Sequence, residues 1–198
     1  LGVRFGECVA ILCPDRPEWV ITFFATAKIG GVALGMNTLL KTEEYDYILR
    51  DARARVLVIY DSLLALVEPI LSNHNTLTKV IVIGADGGAN YTTFTDWIDG
   101  EDTKLDAGQT HRDDFCSLHY SSGTTGMPKG VLHAHKDYPL IAQLSGVDLF
   151  GMTENDRTFS VAKLFFVYGI GGNLIFPWYV GASCVLSSGP PRQAAAVL

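Results

Sequence analysis

Basic residues are scarce in this chain: 15 Lys and Arg stand against 21 Asp and Glu, a formal net charge of −6. That balance leaves no basic stripe for a nucleic-acid backbone and no lysine run for an anionic membrane, so neither partner is expected. Long apolar runs are missing too. The most apolar stretch, Leu164 to Val180, is interrupted by Gly169, Gly171, Gly172, Asn173 and Pro177 before it reaches the ~18 residues a membrane-spanning helix needs. Only four cysteines occur. Cys8 and Cys13 fall on an apolar run at a spacing that turns them to opposite faces of a strand, and Cys116 and Cys184 stand alone. Neither a disulfide framework nor a zinc site is suggested, and buried or incidental thiols are expected. No charged n-region or signal-peptide core follows Leu1, so cytoplasm is the expected compartment.

What the chain does have is apolar content, 48% over 198 residues, enough to bury a sizeable core. Cys8 to Cys13 reads as a strand buried on both faces, and Pro17 sits where the first turn of a following helix accepts it. Val20, Phe23, Phe24 and Ala27 recur at helical spacing, Gly30-Gly31 stops that helix, and Val32 to Leu34 is the next strand. The alternation repeats. Thr42 is placed to cap a helix with Tyr45, Ile48, Leu49 and Ala52 on one stripe, followed by a strand from Arg55 to Tyr60. Asp61 is placed to cap another, with Leu63, Val67, Ile70 and Leu71 inward, before a strand over Val80 to Ile83.

Strands separated by helices of this length predict an α/β fold of layered, doubly wound sheets with right-handed crossovers. Residues 84–114 are richer in Gly, Asp and Thr and read as a connection with at most a short helix near Phe94 to Ile98. The expected organisation is therefore a first α/β portion over 1–84, a connection over 85–114 and a second portion over 115–198. The opening without methionine and the close on Gln193 to Leu198, which reads as a helix just begun, suggest a fragment of a larger domain.

The most informative stretch is Tyr120-Ser121-Ser122-Gly123-Thr124-Thr125-Gly126-Met127-Pro128-Lys129-Gly130, between an apolar strand from Phe115 and another from Gly130 to His135. Glycines let backbone N–H groups turn toward an anion, Ser and Thr hydroxyls add donors, and lysine adds a mobile charge. This is phosphate-binding chemistry, although composition alone also suits an ordinary polar hairpin. It is not a Walker loop, because Pro128 precedes the lysine and Gly130 follows it.

In order as well as composition, YSSGTTGMPKGV resembles the phosphate-binding signature of the adenylate-forming superfamily, which includes acyl- and aryl-CoA synthetases, peptide-synthetase adenylation domains and firefly-type luciferases. Phe24 to Ala33, with the Gly-Gly-Val step at 30–32, and Asn37-Thr38-Leu39 are similar to an upstream region of the same family, and Asp113-Asp114 before the strand also fits. The resemblance implies that Thr124, Thr125 and Gly126 wrap the β- and γ-phosphates of ATP, that Ser121, Ser122 and Gly123 belong to the same loop, and that Lys129 contacts phosphate. Lys129 and Thr125 are the implied catalytic residues.

Further on, Ser160-Val161-Ala162-Lys163-Leu164-Phe165-Phe166-Val167-Tyr168-Gly169 corresponds to the family's acid-binding stretch. It resembles benzoate–CoA ligases and their hydroxybenzoate relatives more than enzymes carrying P-x-F-H, because Lys163 stands at the Pro and Phe166 at the His. Tyr168, Phe166, Val167 and Gly169 are the implied substrate residues, Phe165 is assigned to the core and Lys163 to the surface. His133 and His135, two apart on a strand, form no metal pair without a third ligand nearby.

The implied reaction is attack of a carboxylate on the α-phosphate of Mg-ATP, giving an acyl-adenylate and pyrophosphate, then displacement of AMP by the CoA thiolate. ATP, Mg²⁺ and CoA are the implied cofactor and cosubstrates, with an aryl acid such as benzoate as partner. The Mg²⁺ carboxylate, the ribose-binding aspartate and the distal lysine of the family are expected beyond residue 198, so this segment alone should be a poor catalyst. A fatty-acyl ligase, an adenylation domain and a non-catalytic nucleotide- or acid-binding module are the competing readings.

Overall fold

The computed structural model describes residues 2–84, 91–121 and 126–189. β1 (Cys8–Leu12) is buried along its whole length, as an uninterrupted apolar run requires of a strand covered on both faces. Its side chains divide by parity. Val9, Ile11 and Cys13 enter one core cluster while Cys8, Ala10 and Leu12 enter the other, so the two early cysteines do face opposite ways.

α1 (Pro17–Lys28) starts on proline and buries Trp19, Val20, Thr22, Phe23 and Thr26. The buried stripe is rotated from the one expected: Phe24 is exposed and Ala27 half-buried. The cause is the stacked pair Trp19–Phe23, with ring centroids 5.3 Å apart, which turns that face to the sheet. Phe24 stacks on Trp178 instead, at 5.5 Å.

β2 (Val32–Gly35), α2 (Thr42–Asp51), β3 (Val56–Tyr60), α3 (Leu64–Leu71) and β4 (Lys79–Ile83) continue the alternation. Both expected caps differ. Lys41 takes the cap position of α2, where the Glu44 carboxylate accepts from its backbone N–H at 2.9 Å, and the Thr42 hydroxyl donates to the Leu66 carbonyl at 2.8 Å. Asp61 begins a short 3₁₀ turn and accepts from the Ser62 N–H, so that α3 begins only at Leu64. Of the inward set named for α3 only Val67 is fully buried, because this short helix rests on α2. β5 (Thr92–Thr93) and α4 (Phe94–Ile98) follow, with the Thr93 hydroxyl accepting from the Asp96 N–H at 3.1 Å.

β6 (Phe115–Ser121) joins the other side of the sheet by pairing with β2, and β7 (Lys129–Ala134) lies beyond it at the edge. The strand order is β5-β4-β3-β1-β2-β6-β7, parallel except for the antiparallel β6–β7 pair. One core lies on each face, which is the doubly wound α/β arrangement that the sequence predicts. The segment after the connection thus extends the same sheet through β2 and β6.

α5 (Asp137–Ile141) runs on in wider π-helical turns to Leu149. α6 (Val167–Ile170), a π-helical stretch over Gly171–Ile175 and α7 (Phe176–Tyr179) form a second continuous run. Between and after them β8 (Arg157–Phe159) and β9 (Ser183–Val185) make a two-stranded parallel sheet. Among the described residues no helix is long and apolar enough to cross a membrane. The helix expected from Gln193 lies outside the described residues.

Candidate functional site

The glycine-rich loop joins the last two strands of the sheet as a hairpin. Ser121, at the end of β6, pairs with Lys129, at the start of β7, so the register fixes both ends of the loop opposite one another. Both residues are exposed, as is Gly126, around which an added Cβ would meet nothing within 4 Å. Ser122, Gly123, Thr124 and Thr125 lie outside the described residues. The stem is anchored from one side: the Tyr120 hydroxyl donates to Asp51 Oδ2 on α2 at 2.6 Å, and its ring meets Tyr47 edge-on. Burial and the Asp51 carboxylate both raise the Tyr120 pKa, keeping this hydroxyl a donor.

The segment around Phe165 approaches the same end of the sheet. Gly35, at the end of β2, makes room for it: a Cβ there would stand 3.0 Å from the Trp19 ring and 3.2 Å from the Phe165 Cα. Phe165 is buried, as expected, and Phe166 is half-exposed. Together with Tyr120 and Pro128 of the hairpin and Asn37 after β2 they line a cavity of about 120 Å³. Val167 and Tyr168 line a different and larger one, about 580 Å³, with Leu144, Phe176 and Tyr138. Tyr168 is 82% exposed. Thus the four implied substrate residues divide. Gly169 is buried behind the others, where a Cβ would run into the Lys163 carbonyl oxygen, so its role in this structure is tight packing at the start of α6.

Lys163 is a correction to the sequence reading. It is 5% exposed, and its Nζ donates to the Ser187 carbonyl at 2.8 Å; the backbone oxygen satisfies an ammonium that the fold takes out of water. Beside it lies a residue that sequence reasoning missed. Asp15, just after β1, is 3% exposed and accepts from the Leu164 N–H at 2.9 Å. Burial raises its pKa to about 6, against the opposing effects of the Leu164 hydrogen bond and of Lys163. No local pattern joins two residues so far apart in sequence.

A polar cluster stands at the wall of the larger cavity. The Tyr138 hydroxyl meets Ser117 Oγ at 2.6 Å and His119 Nε2 at 3.3 Å, and the His119 and His133 rings lie edge to face at 5.6 Å. Burial, then His133, lowers the His119 pKa to about 4, so its ring is neutral at neutral pH. β7 ends at Ala134, which leaves His135 in the following turn and not on the strand with His133. Among the described residues no group of three His, Cys, Asp or Glu side chains is placed to hold a metal ion.

Residues 1–198 match the family described as AMP-binding enzyme. The chain belongs to that family. It is 39% identical over 195 residues to a benzoate–CoA ligase of Thauera aromatica, a match covering 98% of this chain and 36% of that protein. Among solved structures, an anthranilate–CoA ligase, AuaEII, in complex with anthranoyl-AMP superposes with a TM-score of 0.97 at 59% identity, over 99% of this chain and 38% of the other. A benzoate–CoA ligase from Burkholderia xenovorans LB400 superposes at 0.85 with 31% identity, over 95% of this chain and 36% of the other. The chain therefore spans a little over a third of the length of these CoA ligases.

Proposed function

We propose that the full-length protein carrying this chain activates an aryl carboxylic acid, of the benzoate or anthranilate kind, to its CoA thioester through an acyl-adenylate. The observation that carries the aryl reading is the cavity of about 580 Å³ walled by Val167, Tyr168 and Phe176. Its volume falls within the roughly 300–1,000 Å³ of ordinary small-molecule pockets, and flat rings gain from aromatic walls. That two of the similar proteins act on benzoate and one on anthranilate supports the same class.

The described part of the hairpin fits a polyphosphate. Exposed Lys129 supplies a mobile charge, Ser121 a hydroxyl, and Gly126 an unobstructed backbone. Thr124, Thr125, Ser122 and Gly123 would complete the cradle on the family's pattern. Their donors would neutralise charge as pyrophosphate leaves, the kind of positioned electrostatic stabilisation that dominates such transfers. The described residues do not by themselves fit Mg²⁺, since none of them form a carboxylate cluster. No side chain here acts as a covalent nucleophile: the substrate carboxylate attacks the α-phosphorus, and the thiolate of CoA later displaces AMP.

The test is a panel of acids with ATP and CoA on the full-length protein. Formation of aryl-CoA, AMP and pyrophosphate from benzoate or anthranilate is expected. ADP as product refutes the chemistry, and a clear preference for octanoate refutes the aryl assignment while keeping the chemistry.

A further inference from the structure

We propose that Tyr120 is a positioning residue for Lys129: its ring lies across β7, and its hydroxyl, tied to Asp51, fixes the edge strand that carries the lysine. The proposal rests on the reading of Lys129 as a phosphate contact and goes beyond it to what holds Lys129 in place. Little else does. Among the described residues β7 pairs only with β6, and Lys129, Gly130, Val131 and Leu132 are all exposed. In the β6–β7 register Tyr120 stands opposite Gly130 and Ser121 opposite Lys129. A Cβ on Gly130 would lie 3.5 Å from Tyr120 Cζ and 3.6 Å from its hydroxyl oxygen, so the far end of the ring crosses over the Gly130 backbone. Leu118, two residues back on β6, closes the same face, with Cδ1 only 2.9 Å from that point. An aromatic ring laid over a cross-strand glycine firms an edge that would otherwise be loose. Side chains alternate along a strand, so the Lys129 side chain leaves from the opposite face, and the ring constrains its backbone without obstructing it.

The ring is itself fixed from α2. Its hydroxyl donates to Asp51 Oδ2 at 2.6 Å, and its edge-on contact with Tyr47 has ring centroids 6.5 Å apart. α2 in turn is rooted in the core by Tyr45, Ile48 and Leu49. A hydrogen bond to an ionised acceptor is shorter and stronger than one between neutral groups, so this tie transmits the rigidity of a buried helix to an edge strand. Displacements of about an ångström at a reacting centre are enough to cost rate, and a lysine on an edge strand is exposed to them unless something holds its backbone.

The experiment measures acid-dependent ATP–pyrophosphate exchange in the full-length protein for wild type, Tyr120→Phe, Asp51→Ala, Asp51→Asn, Lys129→Ala and the double variant Tyr120→Phe with Lys129→Ala. Tyr120→Phe keeps the ring and loses the tie. It should slow exchange at saturating substrates roughly three- to tenfold, with KM for the acid unchanged. Asp51→Ala should match it, and Asp51→Asn, which keeps an acceptor, should restore most of the rate. In the Lys129→Ala background Tyr120→Phe should cost nothing more, because a residue that acts through Lys129 then has nothing to position. A merely structural role would lower the rate alike in both backgrounds. Full-rate exchange in Tyr120→Phe or in Asp51→Ala overturns the proposal, as does a loss that persists undiminished without Lys129. Absence of exchange in the wild type, or unchanged exchange in Lys129→Ala, refutes the phosphate reading itself, and the proposal with it.

Discussion

β7 leaves Lys129, Gly130, Val131 and Leu132 exposed at the edge of the sheet among the described residues, whereas Lys163, Leu164, Phe165 and Gly169 of the following segment are all buried. Within the hairpin β7 pairs only with β6 among the described residues, while β6 is held by β2, by Tyr120 on Asp51 and by Ser117 and His119 on Tyr138. The pocket segment is held by polar contacts reaching across the chain: Asp15 to the Leu164 N–H, Lys163 to the Ser187 carbonyl, and Asn173 between the Thr158 hydroxyl and the Val185 carbonyl. Under the proposed function the hairpin closes on a polyanion, and its exposed strand β7 lies at the edge of the sheet, where movement costs least. Under the same proposal the segment around Phe165 presents a wall to a ring, and ties from several sides suit that task, because such contacts lapse over fractions of an ångström.

The sharpest way to break this comparison is Lys129→Ala. An exposed edge lysine contributes little to the fold, so the melting temperature should move by no more than ~0.5 kcal/mol would imply. ATP–pyrophosphate exchange in the full-length protein should fall roughly ten- to a hundredfold, the loss expected of a charge-assisted phosphate contact. Unchanged exchange would remove Lys129 from phosphate handling. A large loss of stability would mean that the hairpin edge is structural after all.

The pocket segment should answer to pH through Asp15. Its folded pKa of about 6 stands above the ordinary 3.8, so the protonated form is the one the fold favours. Stability from this group is full below about pH 4 and is lost as pH rises through about 6, by on the order of 2–3 kcal/mol. Asp15→Asn keeps an oxygen for the Leu164 N–H and removes the charge. Its melting temperature relative to wild type should therefore be higher at about pH 7.5 than at about pH 4.5. A difference that does not vary with pH would show that Asp15 is solvated well enough to ionise normally.

The same contrast explains what was legible in the sequence. The hairpin could be read because its chemistry is contiguous: hydroxyls, glycines and lysine sit within a few positions, and the strands on either side alternate plainly. β1 to β4 could be read because apolar runs and helical spacing are local properties. The pocket anchors could not. Lys163 looks like any surface lysine until Ser187 arrives beside it, and Asp15 looks like a turn residue until Leu164 does. Phe24 was misplaced for a related reason, since the Trp19–Phe23 stack, a matter of packing and not of period, decides which face of α1 turns inward.

The smallest expected effect belongs to Tyr168→Ala, and it separates wall from core. The resemblance implies a substrate contact for Tyr168; the competing structural reading makes it a core aromatic, whose deletion costs ~3–5 kcal/mol. In the structure it is 82% exposed at the cavity wall, so its removal should leave the melting temperature nearly unchanged. What it should alter is recognition: KM for the aryl acid rises roughly three- to tenfold, the worth of one aromatic contact, while KM for ATP stays where it was. Bulkier acids should lose less than benzoate, because the space the ring vacates accepts them. Those two Michaelis constants, measured beside the melting curve, decide the matter. A lowered melting temperature with both constants shifted alike would return Tyr168 to the core, and the pocket would then need another wall.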